Sequence, residues 1–337
     1  TKEWGIVSDD GGKSVAIDGA GNIFVTGPTT GSLDGNTSAG GNDIFLTKWN
    51  ADGTKAWTKQ WGTANHEDCN SVVIDSAGNI FVAGYTSGDL DGNTSAGSSD
   101  VFLTKWNSDG TKAWTKQWGS TEGEIGYGVA VDGSGNIFVT GQTDGSFDGS
   151  TAIGGADIFL TKWNADGSKA WTKIWGTNSE NVGNAVTVDA SGNIFVTGQT
   201  DDAMDGNIHA GGRDIFLTKW TSGGTKAWTK QWGTATDDFG YGVTIDSYGN
   251  IFVTGYTEAA LDGNGHAGGR DIFLTKYSSA GTKQWTKQWG TTMEDIGWGL
   301  ATDSNARIIV AGSTHEALDG NAYLGEIDAF LSIWIAE

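Results

Sequence analysis

The sequence predicts an all-β protein, a closed six-bladed β-propeller with four antiparallel strands per blade, filling residues 1–337 as one domain. Three observations carry this. An Asp-Gly pair returns at Asp34, Asp91, Asp148, Asp205, Asp262 and Asp319, each step being 57 residues, so repeats account for the whole chain. A period on the order of 50 residues marks solenoids, propellers and arrays. Each repeat holds four short runs of alternating apolar and polar residues, bounded by turn residues. The two chain ends are offset by one strand.

The third repeat shows the four runs. "GVAVDG" at 128–133 (strand A) turns through Asp-Gly-Ser-Gly-Asn into "NIFVTG" at 136–141 (strand B). A long loop leads to "DIFLTKWN" at 157–164 (strand C), and a tight turn leads to "KAWTKIWG" at 169–176 (strand D). Glycine-containing turns between β-branched runs are hairpin signals. No segment has a helical period.

Closure follows from the ends. "TKEWG" at 1–5 matches strand D, and "DAFLSIWI" at 328–335 matches strand C, after which the chain has no D strand of its own. The N-terminal strand is therefore expected to complete the last blade and remove both open sheet edges. An open array would gain nothing from that offset.

Composition narrows the function. The chain has 17 Trp and 37% hydrophobic residues, enough for a substantial core and against disorder. A single cysteine, Cys69, excludes an intrachain disulfide and carries no metal-site spacing. A net charge of −21 repels phosphate backbones and anionic lipid, which argues against nucleic-acid partners. No apolar run is long enough to insert in a membrane. The sequence opens on Thr1 rather than Met, which points to a processed chain or a part of a larger surface protein.

The segments "VAVDGSGNIFVTG" and "DIFLTKWNADGTKAWTKQWG" resemble the bacterial β-propeller repeat family called SBBP, and distantly the NHL type of blade. The resemblance covers essentially the whole chain. It implies a propeller in a bacterial protein that is extracellular or at the cell surface. It implies no activity, because these repeats share no catalytic residues.

Sixteen tryptophans fall in three columns, represented in the second repeat by Trp106 on strand C and by Trp114 and Trp118 on strand D. Two readings apply: a sugar-binding platform, or packing between blades, which their buried area favours. Trp298 belongs to no column. The lysines, apart from Lys13, cluster in strands C and D and read as a solvated wall that deters sheet association.

The A–B and C–D connections are tight, whereas the B–C and D–A connections are long. Both long loops leave a blade at the same end, so one face is built up and is the place for function. The D–A loops put Glu67, Glu124, Asp238 and Asp295 at one repeat position, with Asp10 and Asn181 completing the set. Three residues on, the series reads Lys13, Asn70, Tyr127, Asn184, Tyr241, Trp298. A framework this regular with one variable position suits a binding mouth, where aromatic rings stack on sugar faces and carboxylates accept hydroxyl protons. The competing reading is that the carboxylates accept hydrogen bonds from loop N–H groups.

Two further loop features are candidates. "DLDGN" at 89–93 matches the opening of a calcium loop, with Asp89, Asp91, Asn93 and Asp100 as oxygen donors. The other five copies lack the first aspartate, so an Asx-type turn is the alternative. "NIHAGGRD" and "NGHAGGRD" place His209 with Arg213 and His266 with Arg270, suited either to an anionic ligand or to local aspartates. Neither a nucleophile triad nor a metal-spaced histidine cluster is present, and most unusual residues recur by copy. The expectation is a non-enzymatic, extracellular binding scaffold presenting an acidic loop face to a glycan or protein ligand. A multivalent lectin, a structural subunit of a surface layer or filament, and a glycan-active enzyme are the alternatives.

Overall fold

The computed structural model describes residues 1–7, 9–303 and 305–335. The fold is an all-β propeller of six antiparallel blades, and the chain divides into two compact units of three blades each.

Unit one is Thr1–Ala152 with Ile158–Trp175. Blade one holds β1 (Ser14–Ile17), β2 (Ile23–Thr29), β3 (Asp43–Trp49) and β4 (Lys55–Trp61). Blade two holds β5 (Glu67–Ile74), β6 (Ile80–Thr86), β7 (Asp100–Trp106) and β8 (Lys112–Trp118). Blade three holds β9 (Glu124–Val131), β10 (Ile137–Thr143), β11 (Asp157–Trp163) and β12 (Lys169–Trp175). Unit two is Ile153–Asp157 with Gly176–Glu337. Blade four holds β13 (Asn181–Val188), β14 (Ile194–Thr200), β15 (Asp214–Trp220) and β16 (Lys226–Trp232). Blade five holds β17 (Asp238–Ile245), β18 (Ile251–Thr257), β19 (Asp271–Tyr277) and β20 (Lys283–Trp289). Blade six holds β21 (Asp295–Thr302), β22 (Arg307–Thr314) and β23 (Asp328–Ile335). Each blade is a meander in which consecutive strands pair.

The alternation read from the sequence buries both faces of the middle strands, so the core lies in the seams between blades. Between blades one and two, Phe24, Ile44 and Leu46 pack with Val72, Ile80 and Phe102. Aromatic columns meet across seams within each unit: Trp61 and Trp106 have centroids 5.1 Å apart at 61°, and Trp232 and Tyr277 5.2 Å apart at 55°. The third column covers phenylalanines, as Trp57 does Phe24 at 6.1 Å. The columns are packing, as their buried area suggested. Lysines lie over several of these rings, Lys112 at 5.4 Å from Trp106. The lysine wall is thus more than a solvated edge: its stems and charges cap the outer aromatics.

The N-terminal segment corrects one expectation. Among the described residues blade six has three strands, and residues 1–5 form none. The segment keeps the side-chain half of a D strand without the backbone ladder. Trp4 meets Trp49 at 5.2 Å and 61°, repeating the Trp61–Trp106 geometry. Ring packing needs no paired neighbour, whereas a strand does. On β23, Leu331 is 63% exposed where its counterpart Leu274 is fully buried.

Candidate functional site

Except for β1, the A strands begin four residues earlier than the sequence pattern placed them. Glu67, Glu124, Asp238 and Asp295 are therefore first residues of β5, β9, β17 and β21, not loop residues. All four are fully buried, so none can touch a ligand. They tie down the D–A loops instead: the Thr63, Ser120 and Thr234 N–H groups donate to Glu67, Glu124 and Asp238, each at 2.6 Å, and Thr291 does the same for Asp295. The hydrogen-bonding alternative describes them, and the ligand-acceptor role does not. The carboxylates that remain accessible lie elsewhere, with Glu180 61% and Glu294 47% exposed.

The variable position has a backbone cause. Five of the six A strands skip register once: at Asn70 in β5, Tyr127 in β9, Asn184 in β13, Tyr241 in β17 and Trp298 in β21. A β-bulge leaves one residue unpaired and re-aims its side chain. The bulge also presses the A strand against strand B. A Cβ on Gly84 would stand 2.0 Å from the Asp68 carbonyl oxygen, so only glycine fits there.

In blades one, two, four and five the side chain at this position reaches the following blade. Lys13, the same position just before β1, pairs with Asp68 at 2.7 Å, and the Asn70 amide donates to the Gly126 carbonyl at 2.9 Å. Tyr127 donates to Gln142 at 3.3 Å. In unit two the Asn184 amide donates to the Gly240 carbonyl, and Tyr241 meets Trp298 at a centroid distance of 4.6 Å. The Trp298 indole N–H donates to Ser313 at 3.0 Å, and the residue is 50% exposed.

Around Tyr241 and Trp298 the structure adds residues that the sequence reading missed. Phe239 and Tyr256 stack at 4.9 Å and 17°, both within ring contact of Tyr241. Arg213 lies 5.3 Å over Phe239, and Arg270 lies 4.6 Å over Tyr256. Burial raises the phenol pKa of Tyr241 and Tyr256, so both rings are neutral donors. A signal for Tyr256 existed: the penultimate residue of strand B also varies, as Pro28, Tyr85, Gln142, Gln199, Tyr256 and Ser313. In β10, β14, β18 and β22 it contacts the bulge residue beside it.

The arginines are already paired. Arg213 contacts Asp201 at 3.0 Å and Glu180 at 3.2 Å; Arg270 contacts Glu258 at 3.2 Å and Glu294 at 3.5 Å. Their companion histidines point elsewhere, with His209 3.4 Å from Asp214 and His266 3.2 Å from Asp271. The histidine and arginine of each loop therefore do not converge on one anion, because local carboxylates hold each separately.

Nor do the four oxygen donors of "DLDGN" converge. Lys112 Nζ donates to both Asp91 oxygens at 2.8 Å, and Thr115 donates to the same carboxylate. Asp89 accepts from the Ser95 N–H at 2.7 Å, and the Asn93 amide donates to the Leu90 carbonyl. Asp100 accepts from the Ala96 N–H and Gln117. Among the described residues no group of three or more His, Cys, Asp or Glu could hold a metal ion. The loop is a clasp: Asp91 adopts a left-handed turn at φ 52°, its carboxylate grips strand D, and Leu90 plugs the core. An ammonium supplies the positive charge that calcium would bring.

Comparison with known proteins agrees with this architecture. The SBBP model, described as a beta-propeller repeat, matches residues 3–34, 56–91, 113–148 and 227–261. The regulatory protein FlaEY of Caulobacter vibrioides is 26% identical over 359 residues, an alignment covering 93% of this chain and 37% of that protein. An uncharacterized WD repeat-containing protein, L264, of Acanthamoeba polyphaga mimivirus is 24% identical over 90% of this chain and 29% of its own length. This chain thus spans well under half of either relative. Among solved structures, the Neurospora crassa Pan2 WD40 domain matches with a TM-score of 0.51 at 9% identity, over 89% of this chain and 74% of that one. The propeller domain of the Trilobed protease from Pyrococcus furiosus gives 0.51 at 9%, over 98% and 81%. At such identities the likeness is one of fold. With its 57-residue period and meander blades, the chain carries SBBP-type beta-propeller repeats in these four matched stretches.

Proposed function

We propose that this protein is a non-enzymatic, extracellular binding scaffold whose recognition surface is the aromatic and arginine patch of blades four to six. One observation carries the reading: in a near-perfect repeat, Trp298 stands half exposed with its ring tilted against Tyr241, outside every packing column. A rigid, exposed ring held by a neighbour and by Ser313 costs little entropy to present. The rim carboxylates Glu180 and Glu294 and the arginines beside them offer hydrogen bonds to a polar ligand.

A scaffold suits this surface better than an enzyme, since its acidic groups are either buried or ion-paired. A carbohydrate ligand is the second reading, favoured by aromatic faces beside carboxylates. A glycan array probed with the wild-type protein and with Trp298→Ala separates the two. Binding lost in the variant supports the lectin reading. No glycan binding leaves a protein partner, and equal binding by both proteins rejects the patch.

A further inference from the structure

In each of four seams two buried carboxyl groups face one another across a glycine of the D–A loop. A Cβ on Gly119 would stand 2.4 Å from Asp100 Oδ1 and 2.1 Å from Glu124 Oε2, so these oxygens lie within about 5 Å of each other. Gly233 holds Asp214 and Asp238 the same way, as Gly62 does Asp43 and Glu67, and Gly290 does Asp271 and Asp295. Every one of these carboxyls is fully buried. Asp100 Oδ1 and Asp214 Oδ1 have no hydrogen-bond partner, and both are aimed at the facing acid.

Two desolvated like charges at this separation are costly, and one proton relieves them. A fifth seam makes the same point in the sequence. Opposite Asp157 across Gly176 the chain writes Asn181, a neutral amide where the others have an acid. We propose that Asp100–Glu124 and Asp214–Asp238 are proton-binding sites, each pair taking up one shared proton in mildly acidic medium and thereby tightening the two long loops it joins. Asp100 moors the base of the B–C loop through Ala96, and Glu124 moors the D–A loop through Ser120.

The electrostatics agree. Burial raises Glu124 above the ordinary carboxyl range, with Asp100 adding to it. Burial, with Asp214 beside it, pushes Asp238 up to about 6. A carboxyl raised on folding stabilises fully below its unfolded value, and that stability is lost as pH rises through the folded value. For Asp238 the window runs from 3.8 to about 6. The groups facing these pairs are mostly neutral donors: Gln117, Ser120 and Thr143 for one, Gln231, Thr234 and Thr257 for the other. Charged neighbours differ. Exposed Glu122 and Asp144 lie by the D–A loop of the first pair, whereas His209, Arg213 and Asp237 surround the second. The second pair has His209 and Arg213 beside it, so Asp100–Glu124 is the cleaner test.

The experiment compares wild type, Glu124→Gln and Asp238→Asn by calorimetry between neutral pH and about pH 5, with and without added calcium. The expected result is a wild-type Tm that rises by a few degrees on acidification. Each variant should start higher at neutral pH and respond less. Native-state hydrogen exchange of wild type gives a second readout, with the Ala96 and Ser120 amides better protected at the lower pH after correction for intrinsic rates. Unchanged protection overturns the proposal. So does a calcium-dependent rise in Tm that Glu124→Gln abolishes, since the pair would then be a cation site.

Discussion

Tyr241 and Trp298 are the bulged residues of neighbouring A strands, and their rings meet at 4.6 Å. Neither belongs to the alternating pattern of its strand. Each is aimed by an unpaired backbone step. The pair therefore behaves as a presented feature on a rigid frame, and its two members differ in what they support.

Trp298 is half exposed, while Tyr241 also packs on Phe239 and Tyr256. Trp298→Ala should lower stability by no more than about 1 kcal/mol, and Tyr241→Ala by about 2 kcal/mol. Both should lose binding of any ligand that uses the patch. Chemical denaturation paired with ligand titration checks this. A Trp298→Ala protein that is strongly destabilised would return the residue to the core.

The Asp-Gly-Asn clasp makes a calcium requirement unnecessary. EDTA should leave Tm unchanged, and millimolar calcium should not raise it. Lys112→Ala should cost under about 1 kcal/mol, since the Lys112–Asp91 pair is partly solvated. A Tm that falls in EDTA and recovers with calcium would show that a cation displaces the lysine.

Gly84 lies opposite the bulge of β5, where a Cβ would also come within 2.7 Å of the Cys69 Cα. The contact is with backbone, which cannot swing aside. Gly84→Ala should destabilise by about 3 kcal/mol. Thermal or urea unfolding reads this directly, and a neutral outcome would mean that the bulge can relax.

Cys69 sits at a position that is glycine in the other blades, fully buried, with its thiol 3.1 Å from the Thr26 hydroxyl. Burial pushes its pKa up to about 12, so the nucleophilic thiolate is scarce at neutral pH. A thiol reagent should label it only on unfolding, at a rate that follows global opening. Fast labelling of the native protein would place β5 among the locally mobile elements.

The period, the four strands of blades one to five, the blade number and the packing role of the tryptophans were all legible in the sequence. Each follows from a local pattern repeated in register, and side-chain alternation is a property of the strand itself. The variable position at Tyr127, Tyr241 and Trp298 was legible too, because six copies allow comparison within one chain. What the sequence could not settle was direction and depth. Glu124 and Asp238 read as loop carboxylates, yet the A strands start at these very residues and bury them. Asp91 read as a cation ligand, yet Lys112, 21 residues on, folds back to meet it. Phe239, Tyr256 and the two arginines come from two strands and two separate loops, and only tertiary packing brings them together. Residues 1–5 match a D strand in type, and the structure gives them its tryptophan contact without its ladder. Strand identity is written in side-chain spacing, which the sequence carries. Pairing, burial and charge partnership depend on what lies across a gap, which only the folded chain decides.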